Sequence, residues 1–430
     1  MKNLILLFLL ISVSGCDKEA LPEPAHFSIT IEALDASCTE IWLKATVTKF
    51  PATVRLLRDG RGVSDCRILT SDSLLVDDGL LPNRTYTYQL QKLGIDSSVM
   101  VTSESVKVTT MDTTSNEWVF SMSTLGDRYS SLYDVAIIND TDIWAVGELY
   151  LKDSTGAFGK KYNAVHWDGR KWEYKRIKLL YKGNWIIPYL NAVFAFSTDD
   201  IWMSAGIPVH GDGRKWRQYH LFDMGILKRT DGSINKIWGS ESSDLWFVGE
   251  RGTIVHYVNG TWRRMESGTT LPIQGVFGSW NPQSEKNEVF CVAEDFGTPG
   301  GSKVLSLKNS GVHEVETYGL LSYGIWDIWF VPGKKYFVSG SGVWRSYSPG
   351  GNWMRNSSLP RLFTTSIDGQ GLNDIVVCGA FGLLAHYNGM HWRTYFPFTS
   401  GSFTAVQIKN NFIVAVGGIG NQAVIVEGKR

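Results

Sequence analysis

The chain lacks a net charge: 42 Lys plus Arg balance 42 Asp plus Glu over 430 residues. No basic field is available to steer nucleic acid, and no acidic run forms a solvating tail. Cysteines are few, five in all, and none is spaced as CxxC or set among histidines as a metal site requires. GxSxG, HExxH, P-loop and dinucleotide fingerprints are all missing. The sequence therefore names no catalytic residue, no metal ligand and no cofactor. Helix-period stretches are scarce, and the apolar run Leu4–Val13 is too short for a permanent bilayer span.

What the chain does have is 17 Trp, 17 Tyr and 44 Gly, a composition of strands joined by tight turns. The fold class expected is all-β. The first residues read as a targeting segment, with Lys2 ahead of the apolar run and small residues Ser14 and Gly15 leading to Cys16. The stretch VSGC resembles a bacterial lipobox, with Val13 where Leu is usual. That resemblance implies a lipoprotein signal peptide over 1–15, lipidation at Cys16, and a membrane contact made through lipid. Asp17-Lys18-Glu19 leans the expected location toward the outer membrane or cell surface rather than the inner membrane. A linker follows over 16–26, with Pro22, Glu23 and Pro24.

Residues 27–112 contain short alternating runs (FSITIEAL, EIWLKATVT, ATVRLLRDG, RTYTYQLQKL, SVKVTTMD) bounded by Gly, Pro, Asp or Asn, the pattern of a β-sandwich. The run Leu80-Leu81-Pro82-Asn83-Arg84-Thr85-Tyr86 resembles the tyrosine corner of fibronectin type III domains, and Trp42 resembles their core tryptophan. The resemblance implies a spacer or adhesive module. Cys38 and Cys66 depart from that family pattern, and in an oxidising compartment they could form a disulfide.

From residue 113 to 430 a larger unit repeats. First runs begin near 133, 191, 234, 273, 325, 363 and 403, and each is followed by a second run such as DIWAVG, DIWMSAG or DLWFVG. A third run ends in HWDGRKW (166–172), HGDGRKW (210–216), HYVNGTW (256–262) or HYNGMHW (386–392). Asp-Gly and Asn-Gly predict two-residue type I′ hairpins, so each unit reads as four antiparallel strands. Seven such units predict a seven-bladed β-propeller. The last unit is one strand short, and EWVFSMS (117–123) is expected to complete it, with Trp118 near Val424–Val426. The pattern resembles bacterial propellers that are BNR-like, or similar to photosystem II assembly factors. It departs from true Asp boxes, since Asp168 and Gly169 are adjacent.

The recurrent His166, His210, His256 and His386 sit on third strands of different units, roughly 10 Å outside the first strands. Convergence on one ion is thereby excluded, and structural or turn roles are expected. Asp142, Asp200, Asp244 and Asp374 at second-strand starts read as turn residues that bind local backbone. Recognition is expected on the insertions, where Tyr181, Trp185 and Phe296 are the candidate binding residues. The resulting reading is a non-enzymatic, monomeric, lipid-anchored envelope protein. Its propeller binds an envelope or surface protein or a glycan, but no nucleic acid. A glycan-active hydrolase or lyase on the same scaffold is the alternative, and an assembly factor for an envelope complex is a third possibility.

Overall fold

The computed structural model describes residues 27–295, 301–317, 324–396 and 401–430. The targeting segment with Cys16, and Phe296, lie outside the described residues. Two compact units emerge. One holds the described residues up to Asp35 together with Ile41–Asp77 and Thr85–Thr109; the other holds Ala36–Glu40, Asp78–Arg84 and Thr110–Arg430.

The first unit has two sheets. One orders Ile29–Ala36, Ile41–Val47 and Asp72–Asp77; the other orders Arg61–Ile68, Ala52–Arg58, Thr85–Leu93 and Val99–Thr102, with Val106–Thr109 also on Thr85–Leu93. The strand Thr85–Leu93 alternates as pleating demands, turning Tyr86, Tyr88 and Leu90 inward. Trp42, Leu43, Val54 and Leu56 are buried with them. The Tyr88 hydroxyl donates to Asp77 Oδ2 at 2.6 Å, and Arg58 Nη1 lies 2.9 Å from the same oxygen. Three of these strands are invisible to periodicity. Arg61–Ile68, for example, is an edge strand exposed along most of its length, so neither face imposes a pattern. That strand carries Cys66, and the structure corrects the pairing considered above: Cys38 and Cys66 are both free thiols. Cys38 Sγ donates to the Asp112 carbonyl at 3.1 Å, and Cys66 Sγ faces the Val54 carbonyl at 3.8 Å. Burial pushes both thiols up, Cys38 to about 11.

The second unit contains, among the described residues, seven four-stranded antiparallel sheets. Their innermost strands are Ser131–Asn139, Ala192–Ser197, Ile234–Glu241, Ile273–Asn281, Ile325–Val331, Thr364–Gly371 and Gly401–Lys409. Each innermost strand packs on the next, and the seventh packs on the first, so the circuit closes. The seventh sheet takes its outer strand from the start of the unit: Val119–Leu125 pairs antiparallel with Gln422–Lys429. Trp118, just ahead of that strand, is buried in one cluster with Val424 and Val426. Strand pairing across the join removes the two free edges that an open circuit would leave.

The turns refine the hairpin expectation. Asn259-Gly260 closes a two-residue hairpin with φ of 49° and 84°, the mirror-image turn that two positive φ values define. Asp168-Gly169 does not: Trp167 pairs with Trp172 across a four-residue loop in which only Gly169 has positive φ. There the Asp168 carboxylate accepts the N–H groups of Arg170 and Lys171, both at 2.9 Å. Asp212 and Asn388 repeat this arrangement. Moving the Gly pair one residue earlier relative to the Trp converts a backbone-closed turn into one closed by a side chain.

Candidate functional site

In six of the seven sheets the innermost strand carries a β-bulge near its start. The residue skipped in the register is Tyr133, Asn235, Gln274, Trp326, Thr365 or Thr404. A bulge re-aims the extra side chain out of the sheet, and here all six point at one place. They line a cavity of about 440 Å³ together with Glu148, Tyr189, Asn191 and Lys236.

The bulge has a sequence signal that periodicity overlooks. In five of the six sheets it lies opposite the Gly ending the second run, as in DIWAVG, DLWFVG or FIVAVG; the fourth sheet has Ala293 there. A Cβ at Gly147 would stand 2.1 Å from the Ser131 carbonyl oxygen, and one at Gly249 would stand 1.9 Å from that of Ser233. The recurring glycine is therefore a demand for close backbone approach rather than for a turn, and it marks the pocket residue across the ladder.

Bulge side chains also tie the circuit together. Thr365 Oγ1 donates to the Phe403 carbonyl at 2.7 Å and Thr404 Oγ1 to the Leu132 carbonyl at 2.8 Å. Asn191 Nδ2 donates to the Ile234 carbonyl at 3.0 Å. Each acceptor immediately precedes the bulge of the following sheet. Deeper along the axis, Asp134, Asp327, Asp368 and Gln407 accept the N–H groups of Val193, Ile367, Ile408 and Ile137. Every acceptor side chain here reaches the backbone of the next sheet in the circuit.

The charges in this space are largely committed. Lys236 Nζ lies 3.3 Å from Asp134 Oδ1; burial opposes its ionisation, but Asp134 and Asp327 outweigh it and raise its pKa. Asp327 and Asp368 are half-buried on the innermost strands of the fifth and sixth sheets. That burial pushes their carboxyls up to about 6 and about 7. Glu148 Oε1 takes the Lys161 ammonium and the Tyr150 hydroxyl, each at 2.5 Å. Burial again opposes ionisation of Glu148, yet these two partners hold its carboxyl below the ordinary range. The hydrogen bond pushes Tyr150 up to about 12. Beside these charges the pocket is lined by three aromatic rings, three amides and two threonine hydroxyls, and the polar groups are themselves partly engaged: Asn191 Nδ2 also donates to Asn235 Oδ1, Asn235 Nδ2 to Glu250 and Gln274 Nε2 to the Glu294 carbonyl.

The repeated histidines do not converge. Each bonds, within its own sheet, the Asp that opens the second strand: His166 Nε2 to Asp142 at 2.8 Å, His210 to Asp200 at 2.7 Å, His256 to Asp244 at 2.7 Å and His386 to Asp374 at 2.6 Å. These aspartates therefore serve a cross-strand partner instead of local backbone, which corrects the turn assignment. In the first three sheets the second-strand Trp covers the imidazole: Trp144, Trp202 and Trp246 have ring centroids 4.5, 4.2 and 3.8 Å away. Outer-strand tryptophans then pack on the preceding sheet, Trp216 on Trp144 and Trp262 on Trp202. Trp172 Nε1 donates to Glu427 of the seventh sheet at 2.6 Å. The fifth sheet inverts the charge, with Lys335 and Arg345 at the Asp and His positions; the buried Lys335 pairs with buried Glu40 of the same unit.

Of the insertion residues, Tyr181 and Trp185 belong to an extra hairpin, Leu179–Tyr181 with Asn184–Ile186, and both are exposed. Its Leu179 is buried between the first two sheets, and Gln218 brackets the Leu180 N–H and carbonyl. The hairpin covers an outer edge and does not line the axial pocket; Tyr189, just beyond it, does.

No known family profile matches the chain, and no curated protein matches it. Among solved structures it is similar to YCF48 bound to D1 peptide, with a TM-score of 0.52 and 16% identity over 72% of this chain and 95% of that one. The C-terminal WD40 domain of Sif2 aligns with a TM-score of 0.44 and 10% identity, over 72% and 98%. The first likeness carries the fold alone: the chain is an all-β protein with a β-propeller.

Proposed function

We propose that this chain is a lipid-anchored envelope protein whose seven-bladed propeller, preceded by a fibronectin type III-like module, holds an extended segment of a protein partner in its axial pocket. The observation that carries this reading is the ring of bulged residues. Six sheets independently turn a side chain into one cavity, and those side chains are amides, hydroxyls and aromatic rings. Such groups bond peptide N–H and carbonyl groups and cover apolar side chains without demanding charge. A rigid closed circuit loses little entropy on binding. A neighbour of the same fold holds a peptide, which accords with a protein partner over a glycan.

The hydrolase alternative needs arginines, a tyrosine and carboxylates meeting at one point. Among the described lining residues no arginine occurs, and the one carboxylate, Glu148, is already tied to Lys161 and Tyr150. The reading is tested with the soluble form lacking residues 1–16 as bait for envelope proteins. Capture is expected to vanish with Trp326→Ala plus Tyr189→Ala and to persist with Trp185→Ala. Capture unchanged by the pocket pair, or specific retention on a glycan array in its place, overturns it. The anchor is tested separately: Cys16→Ser is expected to move the protein from the membrane to the soluble fraction.

A further inference from the structure

A second cavity, also about 440 Å³, lies between the fifth and sixth sheets and is lined by Ser341, Arg355, Arg361, Leu362 and Phe363. It sits beside the axial pocket, because Phe363 meets the pocket residue Trp326 edge to face with centroids 5.5 Å apart. The two walls thus share one aromatic partition.

Some arginines of the chain are spent on buried carboxylates. Arg58, Arg264 and Arg430 each hold a buried aspartate, respectively Asp77, Asp231 and Asp374. Arg355 and Arg361 hold no carboxylate and make no side-chain hydrogen bond among the described residues. Two guanidinium groups that face one cavity with no carboxylate between them are a vacancy for an anion. Arg355 is half-buried and its guanidinium lies against Gly342, where a Cβ would stand 2.8 Å from Nε. Gly342 has φ +94°, so glycine both permits the turn and clears the space in which the planar group lies. A guanidinium cannot shed its charge, and its fork matches the two oxygens of a carboxylate.

We infer that this cavity is an anion subsite that takes an acidic side chain of the partner segment lying in the axial pocket. The inference rests on the proposed reading of that pocket for the kind of partner, while the anion chemistry stands on the arginine pair. The mainly amide and hydroxyl lining next door suits a peptide main chain, which sets the choice of a protein carboxylate over an acidic glycan.

The test uses the chain lacking residues 1–16 and three probes, hexaglutamate, hexaglutamine and polygalacturonate, followed by titration calorimetry at low salt. Hexaglutamate is expected to bind about tenfold or more tightly than hexaglutamine, with a preference that shrinks as salt is added. Arg355→Gln plus Arg361→Gln is expected to erase the preference without shifting the melting temperature, which shows that the variant is folded. Equal affinities for the two peptides overturn the subsite and leave the axial reading standing. Arginine-dependent binding of hexaglutamate that ignores Trp326→Ala supports the subsite and overturns the axial reading. Arginine-dependent binding of polygalacturonate alone overturns the assignment to a protein partner.

Discussion

The third sheet and the join between the sixth and seventh solve one problem in two ways. In the third, Asp244 and His256 are bonded and Trp246 stacks on the imidazole at 7° between planes, all within residues 244–256. In the sixth, Asp374 and His386 form the same pair, but the second strand offers Val376 where the other has tryptophan. The cover comes from far along the chain. Trp118 meets His386 edge-on at 5.5 Å, Asn116 Oδ1 lies 2.6 Å from His386 Nδ1, and Arg430 chelates Asp374 at 2.9 and 2.6 Å. The Arg430 guanidinium also lies 4.5 Å over the Trp118 ring. A buried polar pair needs shelter and satisfied bonds. Where the sheet itself supplies them the unit is self-contained, and where it does not, the two ends of the propeller are drawn together on the same spot.

The largest test of this contrast removes the join. Deleting 113–125 strips the outer strand from Gln422–Lys429 and exposes the Trp118 cluster. The melting transition is expected to broaden and fall, whereas Trp246→Ala should keep a single transition at a lower midpoint, costing about 3–5 kcal/mol. Unchanged melting of the deletion would show that the circuit does not depend on its join. Asp374→Asn comes next. It removes the charge that both Arg430 and His386 address, and is expected to cost about 3 kcal/mol, against about 1–2 kcal/mol for Asp244→Asn. Denaturant unfolding of the two variants measures the difference, and equal losses would break the comparison.

Much of this contrast was legible in the sequence. The seven-unit spacing, the missing last strand and the role of EWVFSMS all follow from the repeats, because continuous apolar runs such as DLWFVG and DIVVCG report strands buried on both faces. The pocket was less legible for a physical reason. Tyr133, Gln274, Trp326 and Thr404 share no chemistry, so no motif joins them; what they share is a bulge, marked across the ladder, except at Gln274, by glycines such as Gly147 and Gly417. The conspicuous histidines and the insertion hairpin build and cover sheets instead. Asn116 and Arg430 were missed because their meeting on Asp374 and His386 is a long-range contact that no local pattern records.

A smaller effect separates the axis from the sheet margins by pH. Asp374 is held below the ordinary aspartate range: burial opposes this, but His386 and Arg430 outweigh it. Its stabilisation is therefore complete above about pH 4 and is lost as pH falls below that value. Asp368 is raised by burial to about 7, so the folded state binds a proton that the unfolded state has released. Between about pH 4 and 7 that group makes stability fall as pH rises, by at most about 1.4 kcal/mol per unit, and by less because Asp368 is only half-buried. Asp368→Asn is expected to flatten this slope while retaining an acceptor for the Ile408 N–H. A slope of unchanged size would remove Asp368 from the account.

The smallest test compares two glycines of the repeated hairpin. Gly260 has φ of 84° and open space where a Cβ would stand, so Gly260→Ala carries only the conformational cost of a positive φ, about 1 kcal/mol. Gly169 has φ of 90°, but its Cβ would come within 2.9 Å of Thr141 Cγ2 and 3.0 Å of Thr141 Cβ. Gly169→Ala must therefore displace Thr141, whose N–H and hydroxyl are bonded to Asn139 Oδ1 at 2.9 and 2.8 Å. It is expected to lower the melting temperature more than Gly260→Ala does. The additional double change Gly169→Ala with Thr141→Ser should recover part of the difference, since serine lacks the γ-methyl that the new Cβ meets. Equal shifts for the two alanine variants would mean that only backbone conformation matters at both turns. A larger shift at Gly169, relieved by the serine, would show that the four-residue loop closed by Asp168 is packed against its neighbouring turn, whereas the two-residue turn stands free.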